Sequence, residues 1–257
     1  MENKVLLILV DGMRPDGVMN CGSDALPELA KKGSSDFAAH TIMPSVTLPC
    51  HTSLFYSVPS DRHGILDNTW HSMVRPLPGI LQASAWAGSK NAMFYNWEQL
   101  RDLGSPGNCA YSLYINLHAN EDSDRLLTDA AKEYIAKAEP DFVFLYLGET
   151  DEVGHKYGWM SPEYLGAIKN ASACIDDIVA SLPASYSVFI TADHGGHGRG
   201  HGADIPEDMT IPMIALGKDF APGSAFPHPA SIMDIAPTVA KLMGFPKPEE
   251  WEGTALY

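Results

Sequence analysis

Residues 4–12, KVLLILVDG, place six consecutive apolar residues directly before an aspartate and a glycine. An unbroken apolar run of this length is typical of a strand that is covered on both faces of a sheet. Further runs rich in apolar or β-branched residues recur along the chain, at residues 37–43, 90–96, 109–115, 141–147, 186–192 and 211–216. We predict a strand at each of these runs.

Amphipathic segments of helical length separate the predicted strands. Residues 121–138 and 162–182 repeat apolar side chains along one helical stripe. Residues 231–243 form a third such segment, which Gly244 should cap and which Pro237 should break or kink. The alternation of strands and helices predicts an α/β fold, a three-layer sandwich with a mostly parallel central sheet. Ligands bind such sheets beyond the carboxyl ends of the strands.

The composition limits the partners that the chain can have. Its 257 residues are 45% hydrophobic and 19% charged, which is typical of a globular protein, and they can form a single domain over residues 1–257. The formal charge of −15 argues against a nucleic-acid scaffold and against binding to an anionic membrane. Small phosphate substrates remain compatible with this charge, because bound metal cations would reverse the field locally.

Cysteine usage and the first apolar run bear on the compartment. Cys21, Cys50, Cys109 and Cys174 are widely spaced, which favours free thiols in a reducing compartment. The apolar run at residues 5–10 is too short to span a bilayer and lacks the flanks of a signal peptide. We therefore expect a cytoplasmic protein that does not bind a membrane.

Carboxylates and histidines follow three of the predicted strands. Asp11 taken alone is more readily a turn or cap residue than a functional one. Asp151 and His155 are four residues apart, so one helical turn would bring them together either as metal ligands or as a hydrogen-bonded pair. The stretch TADHGGHGRGHG at 191–202 is hard to explain by core packing, and its histidine and glycine content favours function. It contains Asp193, His194, His197 and His201.

A candidate hydroxyl lies in TIMPSVTLPCHTSLFYS at residues 41–57, where a helix is predicted to begin. Ser45 and Thr47 both suit the start of that helix, as a cap or as a nucleophile beside a bound phosphoryl group. Oxygen and nitrogen ligands without thiolate indicate zinc or manganese. Their number exceeds the need of one tetrahedral ion, which favours two metals.

The order of these segments resembles the alkaline phosphatase superfamily, and within it the type I phosphodiesterase/nucleotide pyrophosphatase family. The segments that carry the resemblance run from about residue 4 to residue 247 and are, in order, LILVDGMRPD, TIMPSVTLPCHTSLF, HGILDN, GETDEVGHKYG, TADHGGHG, HGADIPEDMTIPMI and SIMDIAPTVAKLMGFP. The resemblance implies an alkaline-phosphatase-like catalytic domain. The short spacings between the motifs indicate a minimal cap domain or none.

The resemblance also implies a role for each matching residue. Thr47 would be the nucleophile, and Asn68 in HGILDN would donate to a phosphoryl oxygen. Ser45 would be a bystander and His197 the histidine that binds no metal. Two divalent ions, zinc by preference or manganese, would be held by Asp11, Thr47, Asp193 and His194 and by Asp151, His155 and His201.

The activity that the resemblance implies is hydrolysis of phosphodiester or pyrophosphate bonds in a small-molecule substrate, through a phosphothreonine intermediate. Alternatives are a phosphomonoesterase, a phosphonate hydrolase of the phosphonoacetate type, and a metal-binding protein without catalysis. A sulfatase is disfavoured because its Cys-x-Pro/Ala-x-Arg motif is absent where Thr47 stands. Candidates for a substrate pocket, although such aromatic residues more often serve simple packing, are Trp70, His71, Trp97, Tyr157 and Trp159.

Overall fold

The computed structural model describes residues 3–105 and 107–257, and its centre is a seven-stranded sheet. The strands are β1 (Lys4–Val10), β2 (Ser34–His40), β3 (Asn91–Tyr95), β4 (Tyr111–Tyr114), β5 (Phe142–Leu147), β6 (Tyr186–Thr191) and β7 (Thr210–Leu216). The helices are α1 (Pro15–Asn20), α2 (Ala25–Lys31), α3 (Thr47–Tyr56), α4 (Ser60–His63), α5 (Ile80–Trp86), α6 (Arg101–Gly104), α7 (Ser123–Ala138), α8 (Glu149–Tyr157), α9 (Pro162–Ser181), α10 (Pro206–Met209) and α11 (Ile235–Met243).

The sheet is mostly parallel, as predicted. Its strand order is β2-β7-β6-β1-β5-β3-β4, and β7 alone runs antiparallel to its neighbours β6 and β2. β1 lies between β5 and β6 and pairs with both in parallel register. Its residues 5–10 have no solvent exposure, which explains why their sequence is apolar without alternation.

Helices form two groups that supply the outer layers of the sandwich. On one side α3, α5 and α11 contact one another, and α11 also packs on β1. On the other side α9 contacts α1, α2, α7 and α8. The predicted three-layer α/β sandwich is confirmed. Between Asn68 and Asp151 the described residues form β3, β4, β5 and the helices beside them rather than a separate cap.

Two predicted elements differ from the structure. The strand expected at 37–43 is β2, which begins earlier, at Ser34, and ends at His40. β2 is an edge strand with half-exposed side chains, so apolar content was a poor guide to its limits. The segment 231–243 does divide, but at the junction of a 3₁₀ turn and α11 rather than at Pro237. Pro237 lies in the first turn of α11, where its missing N–H costs no helical hydrogen bond.

Gly244 ends α11 in the left-handed conformation, with φ of 73°, as expected for a helix cap. Among the described residues we find no helix with the length and apolarity needed to cross a bilayer.

Three parallel strands bring the predicted site residues to one edge of the sheet. Because β6, β1 and β5 are adjacent and parallel, they end side by side at Thr191, Val10 and Leu147. The amide of Asp11 donates to the carbonyl of Leu147 at 3.0 Å, which continues the pairing past the end of β1. The carboxylates that follow these strands therefore converge.

Candidate metal centre

Six of the predicted metal ligands form two clusters at this edge. Asp11, Asp193 and His194 make one triad, and Asp151, His155 and His201 make the other. Within each triad the candidate ligand atoms lie within 4.8 Å of one another. The structure thus groups these side chains in the same two sets that the resemblance implies.

The first triad is buried and has acceptor atoms facing each other. His194 Nε2 lies 3.3 Å from Asp11 Oδ1 and 3.4 Å from Asp193 Oδ2. His194 Nδ1 lies 2.8 Å from the carbonyl oxygen of Gly195, so the ring proton belongs on Nδ1 and the Nε2 lone pair faces the carboxylates. Asp11 Oδ1 and Asp193 Oδ2 are buried without any hydrogen-bond donor. A cation between these atoms would satisfy all three.

The second triad repeats this arrangement nearer to solvent. His155 Nε2 lies 3.2 Å from Asp151 Oδ2, and His201 Nε2 lies 3.7 Å from Asp151 Oδ1. Both rings place Nδ1 against a backbone carbonyl, that of Arg199 at 3.0 Å and that of Ser45 at 2.8 Å. Each ring therefore presents Nε2 to Asp151, whose Oδ1 is buried without a donor.

The two triads adjoin through stacked imidazoles. The ring centroids of His194 and His201 are 3.8 Å apart, with 14° between the ring planes. Two-metal hydrolases hold their ions about 4 Å apart, so adjacent triads suit such a pair. The donor set of carboxylates and imidazole nitrogens fits two divalent cations.

Electrostatics at the first triad also favour bound cations. Burial, together with the charges of Asp193 and Asp151, raises the pKa of Asp11 well above its usual value. Burial likewise raises the pKa of Asp193. Carboxylates this poorly solvated are stabilised in their charged form by a positive charge placed among them.

Thr47 is the first residue of α3, and its hydroxyl lies beside the first triad. Its Oγ1 is 3.2 Å from Nε2 of His194. A cavity of about 140 Å³ is lined by Thr47, by Asn68 and by residues of both triads. Asn68 Oδ1 accepts from the amide of Leu48 at 3.0 Å, which fixes the Asn68 side chain next to Thr47. Thr47 and Asn68 therefore share one cavity with Asp11 of the first triad and with the whole second triad.

Ser45 and His197, for which no metal-binding role is predicted, take part in neither triad. The hydroxyl of Ser45 donates to the carbonyl of Ala203 at 3.1 Å. His197 Nδ1 lies 2.8 Å from Oδ1 of buried Asp208, and its side chain is half exposed. Asp208 also accepts from the amide of Ala203 at 2.8 Å, so this carboxylate contacts the loop on both sides of His201.

Two supporting side chains escaped the sequence reasoning. The hydroxyl of Tyr146 on β5 donates to Oδ2 of Asp11. His51 lies one helical turn after Thr47, and its Nδ1 is 2.8 Å from the carbonyl of Thr47 and 3.5 Å from Oδ2 of Asp193. Its position four residues after Thr47 in α3 is the signal that could have identified it.

The aromatic candidates divide into packing and cavity residues. Trp159 is buried, donates to the carbonyl of Gly12 at 2.9 Å, and packs edge-on against His155. Gly196 crosses this indole so closely that a Cβ there would lie 2.2 Å from the ring. Trp97 lines the metal-site cavity, whereas His71 and Tyr157 are not among the described residues that line it. Trp70 lines two neighbouring cavities.

His63 holds the start of the segment that carries Asn68. Its Nε2 lies 3.0 Å from the hydroxyl of Ser53, and its Nδ1 accepts from the amide of Ile65 at 3.0 Å. The ring is therefore neutral in the folded protein, and burial lowers the pKa of His63 from 6.5 to about 4.

We expect His63 to make the protein acid-sensitive. Because the pKa of His63 is lower in the folded protein, the unfolded chain takes up the proton first as pH falls. The stabilisation of the fold by neutral His63 is therefore complete above pH 6.5 and is lost as pH falls toward 4. In that window the titration of His63 lowers the free energy of unfolding by about 1.4 kcal/mol per pH unit. Urea unfolding at pH 7 and pH 5 should show a smaller decrease in unfolding free energy for His63→Gln than for the unmodified protein. Equal decreases would contradict this assignment.

The sheet, the paired Asp/His triads and the helix-borne threonine together place the chain in the alkaline phosphatase superfamily. The sequence model described as "Type I phosphodiesterase / nucleotide pyrophosphatase" matches residues 5–77 and 83–198, and the chain belongs to that family.

The chain is also similar to individual curated proteins. Human ectonucleotide pyrophosphatase/phosphodiesterase family member 7 is 23% identical over 219 residues, which are 76% of this chain and 48% of that protein. The catalytic subunit of human GPI ethanolamine phosphate transferase 2 is 27% identical over 283 residues, 99% of this chain and 28% of that protein. The chain thus spans half or less of the length of these curated relatives.

A solved structure with the same fold is that of murine ectonucleotide pyrophosphatase/phosphodiesterase 5. Its inactive threonine-to-alanine variant in complex with AMP superimposes with a TM-score of 0.80 at 15% identity, covering 95% of this chain and 96% of that one. At this identity the likeness concerns the fold.

Proposed function

We propose that the protein is a two-metal phosphohydrolase that cleaves phosphodiester or pyrophosphate bonds of small molecules, and that the described residues form a single catalytic domain. The observation that carries the proposal is the position of Thr47. Its hydroxyl lies at a helix N-terminus, 3.2 Å from Nε2 of His194, and Thr47 lines a cavity together with Asp11 and the second triad. Membership of the type I phosphodiesterase family supports the same reaction class.

Asp11, Asp193 and His194 would hold one ion together with Thr47, and Asp151, His155 and His201 would hold the other. Zinc or manganese suits these donors. When bound, such ions neutralise developing charge and lower the pKa of hydroxyl groups that contact them.

The chain's own groups would orient the substrate. The phosphoryl group would lie at the N-terminus of α3, where the first amides of the helix face an anion. Asn68 would donate its side-chain amide to a phosphoryl oxygen, because its Oδ1 is already engaged by the amide of Leu48.

Thr47 would then attack phosphorus in line. The Thr47 hydroxyl gives up its proton, and Oγ1 forms a bond to phosphorus as the bond to one ester oxygen breaks. That oxygen takes up a proton and leaves as an alcohol, so the step neither gains nor loses a proton overall. Water would cleave the phosphothreonine, restoring the Thr47 hydroxyl and releasing the remaining monoester.

The test is a comparison of two chromogenic substrates after metal removal and restoration. We expect the chelated protein to be inactive, and zinc or manganese to restore turnover of bis-p-nitrophenyl phosphate. Turnover of p-nitrophenyl phosphate should be lower by about 10-fold or more, because a diesterase uses binding to the second ester group. A preference for the monoester would contradict the diesterase assignment. Absence of turnover for both, with metals bound, would contradict phosphate ester hydrolysis altogether.

A further inference from the structure

The two imidazoles of the second triad pack against one buried indole. The ring of Trp159, which follows α8, lies edge-on to the ring of His155, with the centroids 5.1 Å apart and 90° between the planes. Its centroid also lies 5.9 Å from that of His201, at an interplanar angle of 63°. Both distances fall within the range of direct aromatic contacts, and Trp159 is only 7% exposed. The indole thus forms a wall beside both rings.

Each of these imidazoles is fixed by a hydrogen bond at one nitrogen only. Nδ1 of His155 and Nδ1 of His201 lie against backbone carbonyls, which leaves Nε2 for a metal. One hydrogen bond still lets a ring swing about the bonded nitrogen, and the His155 side chain is 42% exposed. Contact with the indole restricts this motion before any ion arrives. Ligands that are ordered in advance lose less conformational entropy when they bind.

Three glycines leave the space that the indole of Trp159 occupies. A Cβ on Gly196 would lie 2.2 Å from the indole, one on Gly154 would lie 2.9 Å from it, and one on Gly12 would lie 3.2 Å from it. These glycines belong to the histidine-rich loop, to α8 and to the turn after β1. The indole therefore lies where the three segments that carry the metal ligands meet.

The contacts of the indole with the two triads are unequal. Among the described residues, the rings that it contacts are those of His155, Tyr164 and His201, none of which is a ligand of the first triad. Towards the first triad, Trp159 Nε1 donates to the carbonyl of Gly12 at 2.9 Å. The same carbonyl accepts from the hydroxyl of Tyr164 at 2.8 Å, so it keeps a donor without the indole. Loss of the indole should therefore affect the second triad more than the first.

We propose that Trp159 is a positioning residue of the second metal centre, and that its indole orients His155 and His201 before the ion binds. The inference rests on the two-metal site of the proposed function. It concerns metal binding at one triad, so its failure would leave the hydrolase assignment in place. Loss of a group that orients metal ligands typically weakens metal binding by about 10- to 100-fold.

The test measures how tightly the apo protein binds each of two zinc ions. Competition with a chromogenic chelator gives two binding constants, and His201→Ala identifies the constant that belongs to the second triad. Trp159→Phe keeps one six-membered ring among the glycines but removes the rest of the indole. We expect it to weaken binding of the ion at the second triad by at least about 10-fold. Its affinity for the ion at the first triad should change much less.

Trp251→Phe is the matched control. Trp251 is 2% exposed, and its Nε1 donates to the carbonyl of Pro78 at 2.7 Å, so the substitution removes the same atoms from a similarly buried indole. Trp251 is not among the described residues that form the triads or line the metal-site cavity. Both zinc affinities should therefore equal those of the unmodified protein.

Gly154→Ala tests the same contact without altering the indole. Its Cβ would lie 2.9 Å from carbons of the Trp159 ring and would have to displace that ring. Alanine is favoured over glycine in a helix by about 1 kcal/mol, so this variant is expected to fold even if Trp159→Phe does not. Binding of the ion at the second triad should again be weaker by at least about 10-fold.

The outcomes separate the inference from the proposed function. Unchanged zinc binding at the second triad in Trp159→Phe, or in Gly154→Ala if the former does not fold, would overturn the inference. Equal weakening of both ions in Trp159→Phe, or the same selective loss in Trp251→Phe, would also overturn it. Fewer than two zinc ions bound by the unmodified protein would overturn the two-metal site and the proposed function with it. Two bound ions without phosphodiester turnover would overturn the proposed function alone.

Discussion

Thr47→Ala is expected to lower turnover of bis-p-nitrophenyl phosphate by at least about 10³-fold, the scale on which loss of a nucleophile acts in hydrolases. The Thr47 hydroxyl lies at the N-terminus of α3 with its oxygen 3.2 Å from His194 Nε2.

The same variant should retain its metals. Asp151, His155 and His201 form their triad without Thr47, and Asp11, Asp193 and His194 lose only the hydroxyl as a partner. Metal content measured on the purified variant therefore separates loss of the nucleophile from loss of the site. Thr47→Ser should recover part of the activity because it restores the hydroxyl.

Ser45→Ala is the matched control. Ser45 lies two residues before Thr47, and its buried hydroxyl donates to the carbonyl of Ala203 rather than facing the triads. We expect turnover of Ser45→Ala to stay within about threefold of the unmodified protein, since a single neutral hydrogen bond contributes about 1 kcal/mol to stability. A Thr47→Ala protein that remains fully active, or a Ser45→Ala protein that is inactive, would contradict the choice of nucleophile.

The sequence predicts the sheet edge well because the signal there is local. Asp11 and Asp193 each follow an apolar run that becomes a central parallel strand, and the adjacency of those strands brings the carboxylates together. Asp151 and His155 meet because one turn of α8 lies between them. In each case the strand that a residue follows, or the helix that contains it, determines where its side chain lies.

Other parts of the site depend on contacts that the sequence does not reveal. Trp70 and Arg101 line the same cavity near the site although thirty residues separate them, so the sequence pattern could not show that they are neighbours. Tyr146 is one apolar residue among six in β5 until the structure shows its hydroxyl against Asp11. The predicted limits of β2 lie too far along the chain because an edge strand is only half covered, and its sequence is therefore less apolar than that of a central strand.

Spacing alone could not decide which histidine of the loop at 191–202 binds the second metal. His197 and His201 are four residues apart in a glycine-rich segment, and such a backbone could have turned either ring toward the metal site. The structure directs His197 to Asp208 and His201 to Asp151. The carbonyl of Ser45, which lies 2.8 Å from Nδ1 of His201, fixes the orientation of that ring.

His201→Ala is therefore expected to lower diester turnover by at least about 10²-fold and to release one of the two bound ions. The remaining triad of Asp11, Asp193 and His194 should keep the other, so metal analysis should show half the original content. The variant removes an imidazole that supplies one of the three ligand groups of its triad, and Asp151 with His155 alone makes a weak site.

His197→Ala is the control from the same loop. Its ring is half exposed, so water can take its place on Asp208, and both triads keep their ligands. Turnover and metal content should stay close to those of the unmodified protein. If His197→Ala instead lost an ion while His201→Ala kept both, His197 rather than His201 would be the ligand of the second metal. The stacking of His201 on His194 would then be a packing contact and not the junction of two metal sites.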